Sequence, residues 1–227
     1  MMKIDLPVVV INFKTYPQAT GERAVLLAQQ CATVAKEYGV SLIVAPQATD
    51  LYQVSRSVSV PVFAQHMDSG EPGQYTGHLL GDALIEAGCS GTLLNHSERR
   101  LLLADIEAAV RRAEKLNLYT IVCTNNPITS AAAAAIRPSA IAVEPPELIG
   151  SGISVSQAKP EVVSDTVDMI RKINKDVVIL CGAGISTGAD IKSALKLGAQ
   201  GVLLASAVAK STKPGEALRS LIEPLVK

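Results

Sequence analysis

The chain has 227 residues, a formal net charge of zero and 48% hydrophobic residues, of which few are aromatic and none is Trp. Its basic residues are dispersed, which argues against a nucleic-acid or other polyanion partner. The four cysteines are far apart and have no metal-ligand spacing, so neither a disulfide framework nor a zinc site is expected. With no apolar run of about 18 residues and no signal-like N-terminus, we expect a cytoplasmic protein without a membrane segment.

Eight short apolar runs follow one another along the chain, and each precedes a helix-like segment. The runs are Val8–Ile11, Ser41–Ala45, Val60–Ala64, Gly91–Asn95, Leu118–Cys123, Ala140–Val143, Val177–Cys181 and Gly201–Ala205. Continuous apolar strands are typical of parallel sheets that are covered on both faces. Eight βα units in a chain of this length predict an α/β protein with a single (β/α)8 barrel over residues 1–227. A doubly wound open sheet is the alternative fold.

Polar and small residues collect directly after these runs, where either fold would carry its functional site. They are Asn12, Lys14, His96, Glu98, Glu144, Gly182, Gly184 and Ser206. Although they span most of the chain, the strand ends of a barrel would bring them to one mouth.

His96 follows the fourth run, and the residues after it recur with helical spacing. Ser97 is a plausible N-cap, which would place His96 at a helix N-terminus. The positive end of the helix dipole there would disfavour the protonated imidazole. A capping or interface histidine is the alternative interpretation.

Glu144 lies between the apolar run Ala140–Val143 and two prolines. Burial at that position would favour uptake of a proton, as a general base requires. A helix-capping or salt-bridged carboxylate is the alternative. Lys14 could act as a fixed cation at the mouth, or it could be an ordinary lysine of the rim.

Two small-residue strand ends suit a phosphate, because they expose backbone N–H groups near helix N-termini. They are the segments Cys181–Gly184 and Leu204–Ala207. Barrels often bind phosphate after strands seven and eight, where these segments lie. The segment Glu147–Gly152, with two glycines beside apolar residues, could form a lid that excludes water; a disordered loop is the alternative.

Four motifs, in this order along the chain, resemble the triosephosphate isomerase family. They are Asn12-Phe-Lys14, His96-Ser-Glu-Arg-Arg100, Glu144-Pro-Pro-Glu-Leu-Ile-Gly-Ser-Gly152 and Cys181-Gly-Ala-Gly-Ile185. The resemblance covers the whole chain, and the length is similar to that of the compact, archaeal-type members.

The resemblance implies that triose phosphates interconvert through an enediolate, in glycolysis and gluconeogenesis, without a metal or cofactor. Glu144 would move the proton between the two carbons, and His96 would polarise the carbonyl. Lys14 would offset negative charge, Asn12 would hydrogen-bond the substrate, and Glu98 would support them. The phosphate would meet Ile149, Gly150, Gly184, Ala205 and Ser206.

The chain departs from longer family members, which carry a lid aromatic where Glu147 stands and a Tyr where Cys181 stands. They also have a Gly-Gly pair at Ala205-Ser206. In those relatives the Tyr and the aromatic residue help to hold the lid closed, so the sequence does not identify the contact that holds it closed in this chain. Thr76-Gly77 resembles the segment by which one subunit reaches its neighbour's site, so we expect a homotetramer, with a homodimer as the alternative.

Two other functions remain open from the sequence. One is a phosphate-binding aldolase in which Lys14 forms a Schiff base, and trapping with borohydride would separate it from an isomerase. The other is a non-catalytic phosphate-binding barrel. The presence of Asn12, Lys14, His96 and Glu144 together speaks against that second alternative.

Overall fold

The computed structural model describes residues 2–149 and 154–226. Its strands are β1 (Val8–Asn12), β2 (Ser41–Ala45), β3 (Phe63–Ala64), β4 (Gly91–Leu94), β5 (Tyr119–Thr124), β6 (Ala140–Val143), β7 (Val178–Cys181) and β8 (Gly201–Leu204). The helices are α1 (Glu22–Tyr38), α2 (Leu51–Ser55), α3 (Gly81–Glu86), α4 (Leu103–Lys115), α5 (Pro127–Ala135), α6 (Val155–Ala158), α7 (Pro160–Ile173), α8 (Gly188–Lys196), α9 (Ser206–Ala209) and α10 (Pro214–Val226). None of the helices in these ranges is long and apolar enough to cross a bilayer.

All eight strands belong to one parallel sheet, in the order β2-β1-β8-β7-β6-β5-β4-β3. The two edge strands meet, because a parallel bridge joins Val44 to Val62. The Val44 amide also donates to the Pro61 carbonyl at 3.1 Å. The sheet therefore curls into a barrel with helices around it, which confirms the (β/α)8 prediction and excludes the doubly wound alternative.

Successive residues of each strand point to two different apolar cores, as the period-two geometry of a barrel requires. In β1, Val8 and Val10 belong to the core inside the barrel, and Asn12 continues that inward set. In β6, Ala142 lies inside the barrel, and Glu144 continues the same alternation. The register of the strands thus directs both polar side chains toward the C-terminal mouth.

Most predicted strand boundaries agree with the structure to within one residue. The second and sixth strands have the predicted ends, and α1 ends at Tyr38, where Gly39 with a φ of 64° forms the left-handed cap. The third strand is reduced to Phe63–Ala64, because Pro61 has no N–H to donate to a ladder. The helix predicted after the second strand is also reduced, to Leu51–Ser55.

The helix predicted to begin after Ser97 begins only at Leu103, so that prediction is wrong. Asn95 instead turns the chain, with a φ of 58° that Asn tolerates better than most residues. Its Oδ1 accepts the Leu101 amide at 2.9 Å, and its Nδ2 donates to the Cys123 carbonyl at 2.9 Å. An ordered loop therefore separates β4 from α4, and Ser97 caps no helix.

The close contact of β4 with β5 yields a test of the barrel packing. A Cβ atom on Gly91 would lie 2.4 Å from the Tyr119 carbonyl oxygen and 2.7 Å from Cζ of Phe63. Gly91→Ala should therefore lower the free energy of unfolding by about 3 kcal/mol, as overpacking does. Gly39→Ala, where the space around the Cβ is open, should cost only about 1 kcal/mol of left-handed strain. Urea denaturation measures both, and equal losses would contradict this account.

Candidate active site

A pocket of about 530 Å³ opens at the C-terminal mouth of the barrel. It is lined by Asn12, Lys14, Tyr16, His96, Glu144, Ile149, Ala183, Gly184, Ile185, Ser186, Leu203, Leu204, Ala205 and Ser206. The structure thus brings together most of the residues that the sequence singles out. Glu98 contacts this set from the rim through Lys14, and Gly150 lies outside the described residues.

A tight turn after β1 fixes the position of Lys14. Phe13 is fully buried, and the Asn12 Oδ1 accepts the Lys14 amide at 2.9 Å. Lys14 adopts a φ of 49°, which is uncommon for a residue other than Gly. The Gln65 Nε2 donates to the carbonyls of Lys14 and Ala45, at 2.9 and 3.0 Å. The strained backbone is therefore held from both sides, and the side chain of Lys14 extends over the mouth.

The ammonium group of Lys14 forms an ion pair inside the mouth. Its Nζ lies 2.8 Å from Oε1 of Glu98, and the side chain of Lys14 is only 11% exposed whereas that of Glu98 is 59% exposed. A charge-assisted hydrogen bond to a carboxylate holds the ammonium group in one orientation. The site therefore contains a fixed positive charge.

His96 is buried, with 7% of its surface exposed. Its Nδ1 accepts the Glu98 backbone N–H at 3.2 Å, which in the neutral ring leaves the proton on Nε2. The Glu98 carboxylate is farther away, at 3.5 Å from Nδ1, and pairs more closely with Lys14. The predicted helix dipole does not act on His96, because α4 begins only at Leu103.

Glu144 is 5% exposed, and its Oε2 has no hydrogen-bond partner among the described residues. This oxygen lies 3.7 Å from Nε2 of His96. The Glu144 amide extends the sheet by donating to the Thr124 carbonyl at 2.7 Å. Gly182 lies against the side chain, and a Cβ there would come within 2.3 Å of the Glu144 Cγ. A buried carboxylate thus faces the imidazole, and Gly182 leaves the space that its side chain occupies.

The four cysteines are free and buried, as core thiols were expected to be. Burial first, and then the charge of Glu144 and its hydrogen bond, raise the pKa of the Cys123 thiol well above its usual value. Burial raises the pKa of Cys181 to about 12, and the charges of Glu144 and Asp190 add to that effect. Neither thiol is therefore an activated nucleophile. No group of three or more His, Cys, Asp or Glu in residues 2–149 and 154–226 could hold a metal ion.

The loops after β7 and β8 supply backbone to the opposite side of the pocket. Ala183 and Gly184 are both left-handed, with φ of 67° and 70°. Ala205 precedes the short helix α9, in which Ser206 is the first residue. The first N–H groups of a helix have no intrahelical acceptor, so this side of the pocket can bind an anion.

The first residue of the predicted lid contacts the chain beyond the lid. Leu148 is buried in the outer core, and Ile149 lines the pocket, whereas 150–153 lie outside the described residues. The Glu147 carboxylate pairs with the ammonium group of Lys159, which follows α6. The hydrogen bond from Lys159 is the main cause that lowers the pKa of Glu147. An ion pair thus joins the first residue of the predicted lid to the residue that follows α6.

Three positioning residues of this region were not identified from the sequence. Asn95 shapes the loop of His96, and its signal was the tolerance of Asn for a left-handed φ. Asp190 forms a capping box with Thr187, and the signal was a Thr followed three residues later by an acid. Gln65 has no sequence signal, because its two acceptors belong to other strand ends.

Comparison with known proteins agrees with this geometry. A family model described as triosephosphate isomerase matches residues 7–223. The triosephosphate isomerase of Methanothermobacter thermautotrophicus is 54% identical over 218 residues, which cover 96% of this chain and 95% of that protein. The one of Methanocaldococcus jannaschii is 55% identical over 215 residues, covering 95% and 98%, and the one of Methanosarcina acetivorans is 53% identical over 216 residues, covering 95% and 97%. The chain therefore belongs to the triosephosphate isomerase family, as an isomerase of triose phosphates.

Proposed function

We propose that this isomerase interconverts dihydroxyacetone phosphate and D-glyceraldehyde 3-phosphate with Glu144 as the base and His96 as the electrophile. The observation that carries the proposal is the Glu144 Oε2, which is buried, has no hydrogen-bond partner among the described residues and lies 3.7 Å from Nε2 of His96. Residues 1–227 would act as one catalytic domain in the cytoplasm, in glycolysis and gluconeogenesis. Four free thiols suit such a reducing compartment.

The proton would move between neighbouring carbons through Glu144. The carboxylate takes the proton from the carbon beside the carbonyl, and the electrons of that C–H bond form the C=C bond of the enediolate. His96 passes the hydroxyl proton from one oxygen of the enediolate to the other, and the protonated Glu144 returns a proton to the adjacent carbon, so that the new carbonyl forms at the first carbon. His96, neutral with its proton on Nε2, donates a hydrogen bond to the oxygen that gains charge. The side chains of Glu144 and His96 already face each other, so the reaction would require little rearrangement of either side chain.

Lys14 and Asn12 would bind the substrate beside the reacting carbons. The ammonium group of Lys14, only 11% exposed, would offset the charge of the phosphate and of the enediolate. Asn12 is 4% exposed and holds the Lys14 amide, so it both shapes the turn and borders the pocket. Glu98 would orient Lys14 through their 2.8 Å ion pair.

The phosphate would lie against Gly184, Ala205 and Ser206, with Ile149 and Gly150 closing over it as part of the lid. Backbone N–H groups at these positions suit an anion. Closure would exclude water from an enediolate that otherwise eliminates its phosphate. Support comes from Ile149, Gly184, Ala205 and Ser206, which all line one pocket.

The aldolase alternative finds no support in the environment of Lys14. A Schiff base needs an amine that is free to attack a carbonyl, whereas Nζ of Lys14 is held 2.8 Å from Oε1 of Glu98. A non-catalytic barrel would have no use for a buried carboxylate oxygen without a partner, since such a group is costly. The geometry thus favours proton transfer.

We further propose that the chain forms a homotetramer, with a homodimer as the alternative. Residues 71–78, around the Thr76-Gly77 segment, are exposed. Leu102 and Ile128 are large apolar side chains that are 74% and 73% exposed, which suits a surface that a partner covers. Light scattering would distinguish the two assemblies.

Glu144→Gln should lower kcat by about two to four decades, because an amide cannot accept the carbon proton. KM should change far less, since the phosphate-binding backbone is untouched. The matched control is Glu86→Gln, the same change on an exposed carboxylate of α3, and it should retain parental kinetics. Activity of Glu144→Gln within tenfold of the parent would assign the base to another residue.

Lys14→Met should weaken binding of a phosphate-bearing competitive inhibitor at least about tenfold, because a charge-assisted contact is lost. Isothermal titration measures the affinity without turnover. Lys36→Met, on the exposed surface of α1, removes the same charge far from the mouth and should bind as the parent does. An affinity of Lys14→Met within twofold of the parent would mean that Lys14 does not meet the phosphate.

A further inference from the structure

A second buried carboxylate, that of Asp190, lies behind the pocket and takes no part in the chemistry. It is 3% exposed and belongs to the first turn of α8. Its Oδ2 accepts the backbone N–H groups of Ser186 and Thr187 at 3.0 and 2.8 Å. The Ser186 hydroxyl lies 3.3 Å from the same oxygen. One carboxylate oxygen thus closes the loop after β7 onto the helix that follows it.

The other oxygen of Asp190 holds the chain that emerges from the lid. The Gln157 Nε2 donates to Oδ1 of Asp190, and the Ser156 hydroxyl donates to the Asp190 carbonyl at 3.1 Å. The neighbouring Val155 amide reaches the Ala183 carbonyl at 3.4 Å. All three donors belong to α6, where the described chain resumes after the lid. Asp190 therefore contacts both the pocket loop and the C-terminal attachment of the lid.

The pocket loop needs such an anchor because its backbone is strained. Ala183 has a φ of 67°, which disfavours a residue with a Cβ atom. The bonds from Ser186 and Thr187 to Asp190 hold the loop in this form, and the N-terminal end of α8 stabilises the carboxylate charge. Without them the loop can relax, and the backbone of Gly184 would leave the pocket wall.

We propose that Asp190 is a positioning residue that holds the loop 182–187 and the C-terminal attachment of the lid as one unit. The inference rests on the proposed function, since it concerns how that site binds phosphate and excludes water. Its Oδ2 sets the geometry of the phosphate-binding backbone, and its Oδ1, through Gln157, sets where the lid attaches. The two contacts make separable predictions.

The test compares Asp190→Ala, Asp190→Asn and Gln157→Leu with the parent and with Asp168→Ala, an exposed acid of α7. Three quantities are measured: the affinity for inorganic phosphate by calorimetry, KM, and the phosphate released per isomerisation. Asp190→Ala should weaken phosphate binding and raise KM about tenfold, because two hydrogen bonds to a charged group are lost. Asp190→Asn should stay within about threefold, since its amide oxygen can accept the same two N–H groups. Asp168→Ala should change nothing.

Gln157→Leu separates the lid contact from the loop contact. It should leave inorganic phosphate affinity within about twofold, because Ser186 and Thr187 keep their acceptor, and should raise phosphate release per isomerisation several-fold. An unchanged release would overturn the coupling to the lid. If Asp190→Ala folds and keeps the parental phosphate affinity and KM, the role of Asp190 in the loop is overturned. If Asp190→Ala does not fold, Asp190→Asn decides: a loss of phosphate affinity as large as that of Lys14→Met would overturn the role. A parent without isomerase activity but with the expected phosphate affinities would overturn the proposed function alone.

Discussion

A buried carboxylate oxygen with no hydrogen-bond partner in residues 2–149 and 154–226 is the most demanding feature of this molecule. The Oε2 of Glu144 faces His96 at 3.7 Å inside a largely apolar barrel, and such a group is unfavourable unless the surrounding fold compensates for it. The backbone of Glu144 is fixed in the sheet by its bond to Thr124. Gly182 leaves the space that the side chain needs, and Cys123 stays protonated beside it. These neighbours hold the buried carboxylate in one place beside His96.

The barrel explains how residues far apart in sequence reach this carboxylate. Alternation along each strand sends every second side chain inward, so the last inward position of a strand lies at the mouth. Asn12 occupies that position in β1, and Glu144 continues the inward set directly after β6. Lys14 and His96 come instead from turns, which the Gln65 side chain and the Glu98 backbone N–H stabilise. The site therefore combines residues from strand ends with residues from turns.

The sequence predicted those parts of the molecule that depend on short-range patterns. The strand Ala140–Val143 and the position of Glu144 after it were predictable, because an unbroken apolar segment of this length is typical of a buried parallel strand. The start of α4 was not predictable. The residues after Ser97 have helical spacing, but the Asn95 side chain accepts the Leu101 N–H and so stabilises a loop there. Asp190 was missed although its capping pattern is visible, since its partner Gln157 lies on another element. Contacts between elements distant in sequence leave no local signal. The ion pair of Glu147 with Lys159 likewise matches no local sequence motif.

The account holds that one buried carboxylate carries a proton between neighbouring carbons, through an enediolate that exchanges with solvent. Isomerisation of dihydroxyacetone phosphate in deuterated water, followed by NMR of the product, tests this most directly. The account predicts solvent deuterium at the carbon beside the aldehyde, introduced at a rate that falls with kcat when Glu144 becomes Gln. Undiminished deuterium exchange in the Gln variant would place the base elsewhere and would contradict this mechanism.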